Sequence, residues 1–291
     1  CVAFRSRFFG LINKQRRCQR ACHHHFVFTI HRHHHTMSLF KVCTAQAMAL
    51  KTTLDAIVNC HVTEANLVLN SQTGITITEV DPSHAMVIRL LLEKTSFQIF
   101  EMADEEYVVG VSMKELARLV KNATNKDTIT FTMEREKPEI LKIIVYNDFS
   151  KSCITHHLKT LLLPYDKITI PYREADRVIN LPSGDFARYV KDFSSQKFIE
   201  LEVTKDHVFY IRVRTDLCTS QAEVRAKTNQ RGERVGNGST CIGIGRKGQL
   251  EVCQRFATKF LMSIAKGANL DDQVTIYLSN NEAAMVRYNI S

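Results

Sequence analysis

No apolar run in these 291 residues approaches the ~20 residues that a membrane-crossing helix needs, which excludes that class. The nine cysteines have no repeating spacing, which favours reduced thiols in an intracellular protein over a disulfide framework. Cys60, Cys153 and Cys253 sit in apolar contexts and are expected as small core residues. Acid is missing altogether from residues 1–36, which hold seven Lys and Arg. That absence reshapes the net charge of +9, because the rest of the chain carries 32 basic residues against 30 acidic. An argument for a nucleic-acid partner must therefore rest on where the cations sit, since their total decides nothing.

At 44% hydrophobic and 24% charged residues, the composition is that of a globular protein of one large or two ordinary domains. Residues 1–36 stand apart. Cys18, Cys22 and seven histidines there suggest zinc, but the histidines come in runs with no hydrophobic pattern to build a ligand scaffold. A basic leader without acid is also the composition of an organelle transit peptide. The reading adopted is an arm without regular structure, or sequence upstream of a true start at Met37.

An internal repeat organises the remainder. "LVKNATNKDTITFTME" (119–134) aligns with "IAKGANLDDQVTIYLS" (264–279) at an offset of 145, pairing Lys121 with Lys266 and Thr130 with Thr275. Each copy reads as a helix end, a turn and a strand alternating apolar and polar residues, so the chain contains duplicated units. Periodicity predicts helices over 45–59, 112–122, 183–194 and 253–266, with short connections that favour antiparallel meanders between them. Two similar α+β domains follow, helices segregated to one side of each sheet, joined around 161–171.

The helices share a charge pattern. In "LPSGDFARYVKDFSS", Phe186, Tyr189, Val190 and Phe193 form the buried stripe, while Arg188 and Lys191 project opposite with little acid to balance them. Met113, Leu116, Ala117 and Val120 oppose Lys114, Arg118 and Lys121; Phe256, Phe260 and Ile264 oppose Lys259 and Lys266. The first helix supplies only Lys51. Any solvated helix face carries lysines, but three helices with cations behind the core would make a basic track for phosphates if they share a surface.

From Met37 onward the chain resembles the proliferating cell nuclear antigen family, the eukaryotic sliding clamps. The resemblance is carried by "LKTTLDAI", "ITITEVDPSH", "VGVSMKELARLVKNATNKDTITF", "INLPSGDFARYVKDFS" and "RFATKFLMSIAKGANLDDQVTIYLS". It implies two clamp domains, 37–155 and 172–291, linked by a connector over 156–171, with antiparallel sheets outside and two helices per domain on the inner face. It further implies a head-to-tail homotrimer around duplex DNA in the nucleus, serving as a processivity factor for DNA polymerase and docked by the clamp loader and other clamp-binding-motif proteins. The DNA-facing residues would be Lys51, Arg118, Lys121, Arg188, Lys191, Lys259 and Lys266; Val80, His84, Ile168 and Ile170 would line the client pocket. "SKSCITHHLK" and "TSQAEVRAK" would be the intersubunit edge strands, and Lys205 a lysine that takes ubiquitin-type modification. Departures are Thr52 and Val58 where lysines are usual, Pro164 and Thr169 in the connector, a basic glycine-rich loop after Lys227, and no last strand or tail after "VRYNIS".

Other readings rest on less. Gly243, Gly245 and Gly248 match a dinucleotide fingerprint without its parallel βαβ context, and His156 and His157 complete no catalytic or metal constellation. No cofactor and no catalysis are expected. A checkpoint-type hetero-clamp subunit and a degenerate paralogue that forms no ring remain the alternatives.

Overall fold

The computed structural model describes residues 2–6, 38–81, 83–170, 174–226, 240–244 and 251–290. The chain order is β1 (Val2–Ser6), β2 (Ser38–Thr44), α1 (Ala47–Asn59), β3 (Glu64–Asn70), β4 (Gly74–Val80), β5 (Val87–Glu93), β6 (Ile99–Met102), β7 (Glu106–Ser112), α2 (Met113–Val120), β8 (Asp127–Glu134), β9 (Ile140–Asn147) and β10 (Ser152–Lys159). The second half continues with β11 (Arg177–Pro182), α3 (Ser183–Asp192), β12 (Phe198–Val203), β13 (Val208–Arg214), β14 (Thr219–Arg225), β15 (Cys241–Ile244), β16 (Val252–Ala257), α4 (Thr258–Ala265), β17 (Gln273–Leu278) and β18 (Met285–Ile290).

Period-2 alternation sets the sheets. Along β8, Asp127, Ile129, Phe131 and Met133 point inward and their neighbours are only half-buried; β5, β11 and β17 alternate in the same way. Buried side chains from both halves join one hydrophobic core, including Ile57, Leu116, Phe186 and Ile276. Three sheets surround it, ordered β10-β9-β8-β2-β6, β14-β13-β12-β16, and β15-β11-β17-β18-β1-β5-β4-β3-β7. Among the described residues every strand pairing is antiparallel except the two that β1 makes.

The repeat read from the sequence is a repeat of topology. β2 lies between β6 and β8 as β11 lies between β15 and β17, and β3 lies between β7 and β4 as β12 lies between β16 and β13. Thr130 and Thr275 fall inside the equivalent strands β8 and β17, and Lys121 and Lys266 are the C-caps of α2 and α4.

The structure corrects three expectations. Residues Val2–Ser6 form a strand, so the arm has regular structure there; the zinc-like residues Cys18, Cys22 and the histidine runs lie outside the described residues. The fourth helix begins at Thr258 rather than 253, because Phe256 belongs to β16 and pairs with Ile199. Phe256 and Phe260 are accordingly half-buried, and the buried face of α4 is Thr258, Leu261, Ser263, Ile264 and Ala265. Cys60 is buried, but Cys153 and Cys253 are exposed, each an outward residue of its strand.

Phe186 is fully buried between α3 and the sheet. Phe186→Ala should lower unfolding free energy by about 3–5 kcal/mol in urea titration, through lost apolar burial and the cavity left behind.

Candidate nucleic-acid interface

The four helices form one contiguous layer. α1 packs on α2, α3 on α4, and the 3₁₀ turn Lys266–Asn269 that continues α4 touches both α1 and α3. Each helix is fixed by its apolar stripe: Leu50, Leu54 and Ile57 in α1, Met113, Leu116 and Val120 in α2, Phe186 and Val190 in α3. Tyr189 and Phe193 pack half-buried beside that last pair. In α2 the start is set by Ser112, whose hydroxyl accepts from the Glu115 amide at 3.4 Å in a capping arrangement.

With the stripes turned inward, the cations face out. Arg118, Lys121, Arg188, Lys191, Lys259 and Lys266 are exposed and Lys51 is half-buried, as sequence spacing predicted for the side away from the core. Lys114 is exposed on α2 with them. Lys121 and Lys266 cap the C-termini of their helices, where the negative end of the helix dipole favours a positive charge. Lys266 also lines a cleft with Asp55 and Asn59 of α1, so the second half of the chain brings a cation to the helix that has fewest.

The expected lack of balancing acid does not hold. Glu115 accepts from Arg118 at 2.7 Å, and Asp185 pairs with Arg188 at 3.0 Å while that guanidinium lies 5.0 Å from the Tyr189 ring centre. Both pairs sit one helical turn apart, and both arginines are more than 60% exposed. Such pairs are worth about 0–1 kcal/mol, so a phosphate can displace the carboxylate. Lys259 stands 4.7 Å from the Phe260 ring centre.

The segment between the halves lies along β7 and β3. Leu161 donates its amide to Gly110 at 2.8 Å, and the Asn66 side chain donates to the Pro164 carbonyl at 2.9 Å. A side chain at Gly110 would place Cβ 2.3 Å from the Leu161 carbonyl oxygen, so the close approach of this segment requires glycine there. Beneath it is a concavity of about 410 Å³. Val80 and Ile168 line it; His84 and Ile170 do not. The remaining wall is largely polar, with Thr76, Thr78, Glu79 and Arg89. His84 is exposed in the left-handed region at φ 55°, in the turn after β4.

Lys205 is exposed in the β12–β13 turn, 3.8 Å from Glu251. Of the glycine fingerprint, Gly243 lies in the antiparallel strand β15, and Gly245 and Gly248 lie outside the described residues. The expected intersubunit strands are both sheet edges, β10 and β14. Ile154 of β10 is 55% exposed, and Thr219, Ser220 and Gln221 of β14 face solvent.

Family models agree with this architecture half by half. The N-terminal domain of proliferating cell nuclear antigen matches residues 39–167, and its C-terminal domain matches 169–291. The chain belongs to the proliferating cell nuclear antigen family. Similar relatives include proliferating cell nuclear antigen 2 of Drosophila melanogaster, 26% identical over 76% of this chain and 81% of the relative. Proliferating cell nuclear antigen of Chaetomium thermophilum is also 26% identical, over 84% of this chain and 90% of its own. Membership in this family of sliding clamps fits the α+β fold of two clamp-type domains.

Sequence reasoning passed over the residues that hold the family's loops in place here. Arg177 is fully buried, donates to the Thr204 carbonyl at 2.8 Å and meets His207 Nδ1 at 3.2 Å, which anchors the turn carrying Lys205. Burial holds the Arg177 pKa below its ordinary value. Asp81 gathers the turn that carries His84: its carboxylate accepts from the Ser83 hydroxyl and from the amides of Ser83, Ala85 and Met86. The signal for Asp81 was the "DPSH" turn itself, since Asp accepts from amides two or more residues on.

Burial alone would push the Asp81 carboxyl up, but these hydrogen bonds outweigh it and hold the pKa below the usual carboxylate range. Because the folded value is the lower one, the carboxylate stabilises the fold fully above the unfolded pKa of about 3.9 and loses that contribution as pH falls through the folded value. Asp81→Asn should flatten the loss of stability as pH falls below about 4 relative to the parent, measured by urea unfolding at successively lower pH.

Proposed function

We propose that this chain is a sliding clamp: three copies join head to tail around duplex DNA, and the ring tethers DNA polymerase and other replication and repair proteins as a processivity factor in the nucleus. The observation that carries the reading is the contiguous layer of four helices presenting exposed cations from both halves of the chain, backed by sheets. Cations of this kind contact phosphates without reading bases, which suits a ring that holds DNA by topology and must slide. No catalytic role and no cofactor enter this function. Residues 37–155 and 172–291 act as the clamp domains and 156–171 as the connector, a division supported by the meeting of the two family models between 167 and 169.

The sheet edges support the trimer. β14 holds the repeat position of β5, β10 lies beside β9 at the sheet position that β1 takes beside β18, and within one chain β1 and β5 are paired. A β10–β14 contact between neighbouring chains would join the same two sheet positions, with the strands antiparallel, and close two exposed edges. Lys51, Arg118, Lys121, Arg188, Lys191, Lys259 and Lys266 would face the DNA. Val80 and Ile168 would receive clients carrying a clamp-binding motif, as well as the clamp loader, with His84 and Ile170 outside the concavity itself. The polar wall of the concavity favours clients with hydrogen-bonding groups beside their apolar anchor. Lys205, exposed on its turn, is available for modification.

Native mass measurement should give a species of three 33.3 kDa chains. A monomer would instead indicate a degenerate paralogue, and assembly only with other clamp subunits a hetero-ring. Loaded rings should stay on circular DNA and leave once it is linearised. Lys121→Ala with Lys266→Ala should weaken retention and reduce the salt slope of binding by about 0.9 for each phosphate that is no longer neutralised.

A further inference from the structure

The central sheet crosses from one half of the chain to the other through a single strand, and that strand comes from the N-terminal segment. β1 pairs in parallel with β18, Val2 opposite Val286 through Ser6 opposite Ile290, and in parallel with β5, Val2 opposite Ile88 through Arg5 opposite Leu91. Without it, β18 and β5 would each present an unpaired row of amides and carbonyls. By the repeat, β1 holds in the second half the position that β10 holds in the first, beside β18 as β10 is beside β9. The substitution changes the chemistry: β10 runs antiparallel to β9, whereas β1 is parallel to both neighbours, the less stable arrangement per residue.

We infer that Val2–Ser6 is an intramolecular closing strand, which occupies a strand-binding site between β18 and β5 and makes the two half-sheets continuous. This site takes an extended backbone, so recognition rests on main-chain hydrogen bonds. It goes beyond the clamp reading and does not depend on it: the strand could close the sheet in a chain that forms no ring, and a ring could form in a chain whose half-sheets meet otherwise. The helices supply a second tie between the halves, through α1 and the Lys266–Asn269 turn and through the Cys60 thiol directed at the Ser263 carbonyl at 3.8 Å. Losing β1 should therefore loosen the sheet without separating the halves.

Hydrogen exchange on the full chain tests this. Successive residues of a strand point their amides to opposite neighbours, so Ala3→Pro with Phe4→Pro removes one donor toward each side. Exchange should accelerate at least tenfold at 285–290 and 87–93 and stay unchanged at 127–134 and 140–147 of the first-half sheet. Unchanged protection of 285–290 and 87–93 overturns the proposal. Should the double-proline chain fail to fold, Ala3→Cys with Arg287→Cys decides, since register partners lie within disulfide reach. Oxidation should join them within one chain, faster than in either single variant. No cross-link above the single variants, or one only between chains, overturns the assignment.

Discussion

A β-strand inside a protein must have its backbone groups paired on both sides, and this requirement governs how the halves of this chain are held together. The nine-stranded sheet satisfies it from β11 to β3, with β1 as the member that spans the boundary. At one end the edge is covered as well, where Leu161 bridges to Gly110 of β7. Among the described residues β10 and β14 each have one open side, as do the other sheet-end strands β6, β15 and β16. Open edges invite pairing with another chain, and β10 and β14 occupy sheet positions equivalent to those of β1 and β5, which pair inside the chain. Internal duplication thus supplies surfaces suited to joining copies, while the strand that joins the halves comes from outside the duplicated units.

The helical layer follows from a simpler division of faces. Each apolar stripe is consumed by the common core, which leaves lysine and arginine no position except outward. The acid partners at Glu115 and Asp185 temper the field without abolishing it, because pairs this exposed are weak. A surface of that kind holds phosphates loosely. Such loose, sequence-blind contact is compatible with movement along DNA, whereas deep specific contacts would arrest it.

Much of the fold was legible in the sequence, because period-3.6 and period-2 patterns are written in consecutive residues. The stripe Met113, Leu116, Ala117 and Val120 is buried as spacing predicted, and the 145-residue repeat became a repeat of sheet order. Other features were not legible. Phe256 has an apolar neighbour at helical spacing in Phe260, yet it belongs to a strand, since a short apolar run fits either period until a partner strand arrives. Cys153 and Cys253 looked like core residues from their neighbours, and the register of β10 and β16 turned them outward. The residues expected at a client pocket divided, because the turn fixed by Asp81 holds His84 outside the concavity that Val80 and Ile168 share.

By itself the sequence determined the local elements, the duplication and the outward position of the cations, all of which depend on residues a few places apart. Only the tertiary structure decided that Val2–Ser6 would lie between strands more than eighty residues away, that Arg177 would anchor the Lys205 turn, and that the connector would close on Gly110. Those outcomes depend on backbone pairing and on space between segments distant in the chain, and neither leaves a periodic trace along it.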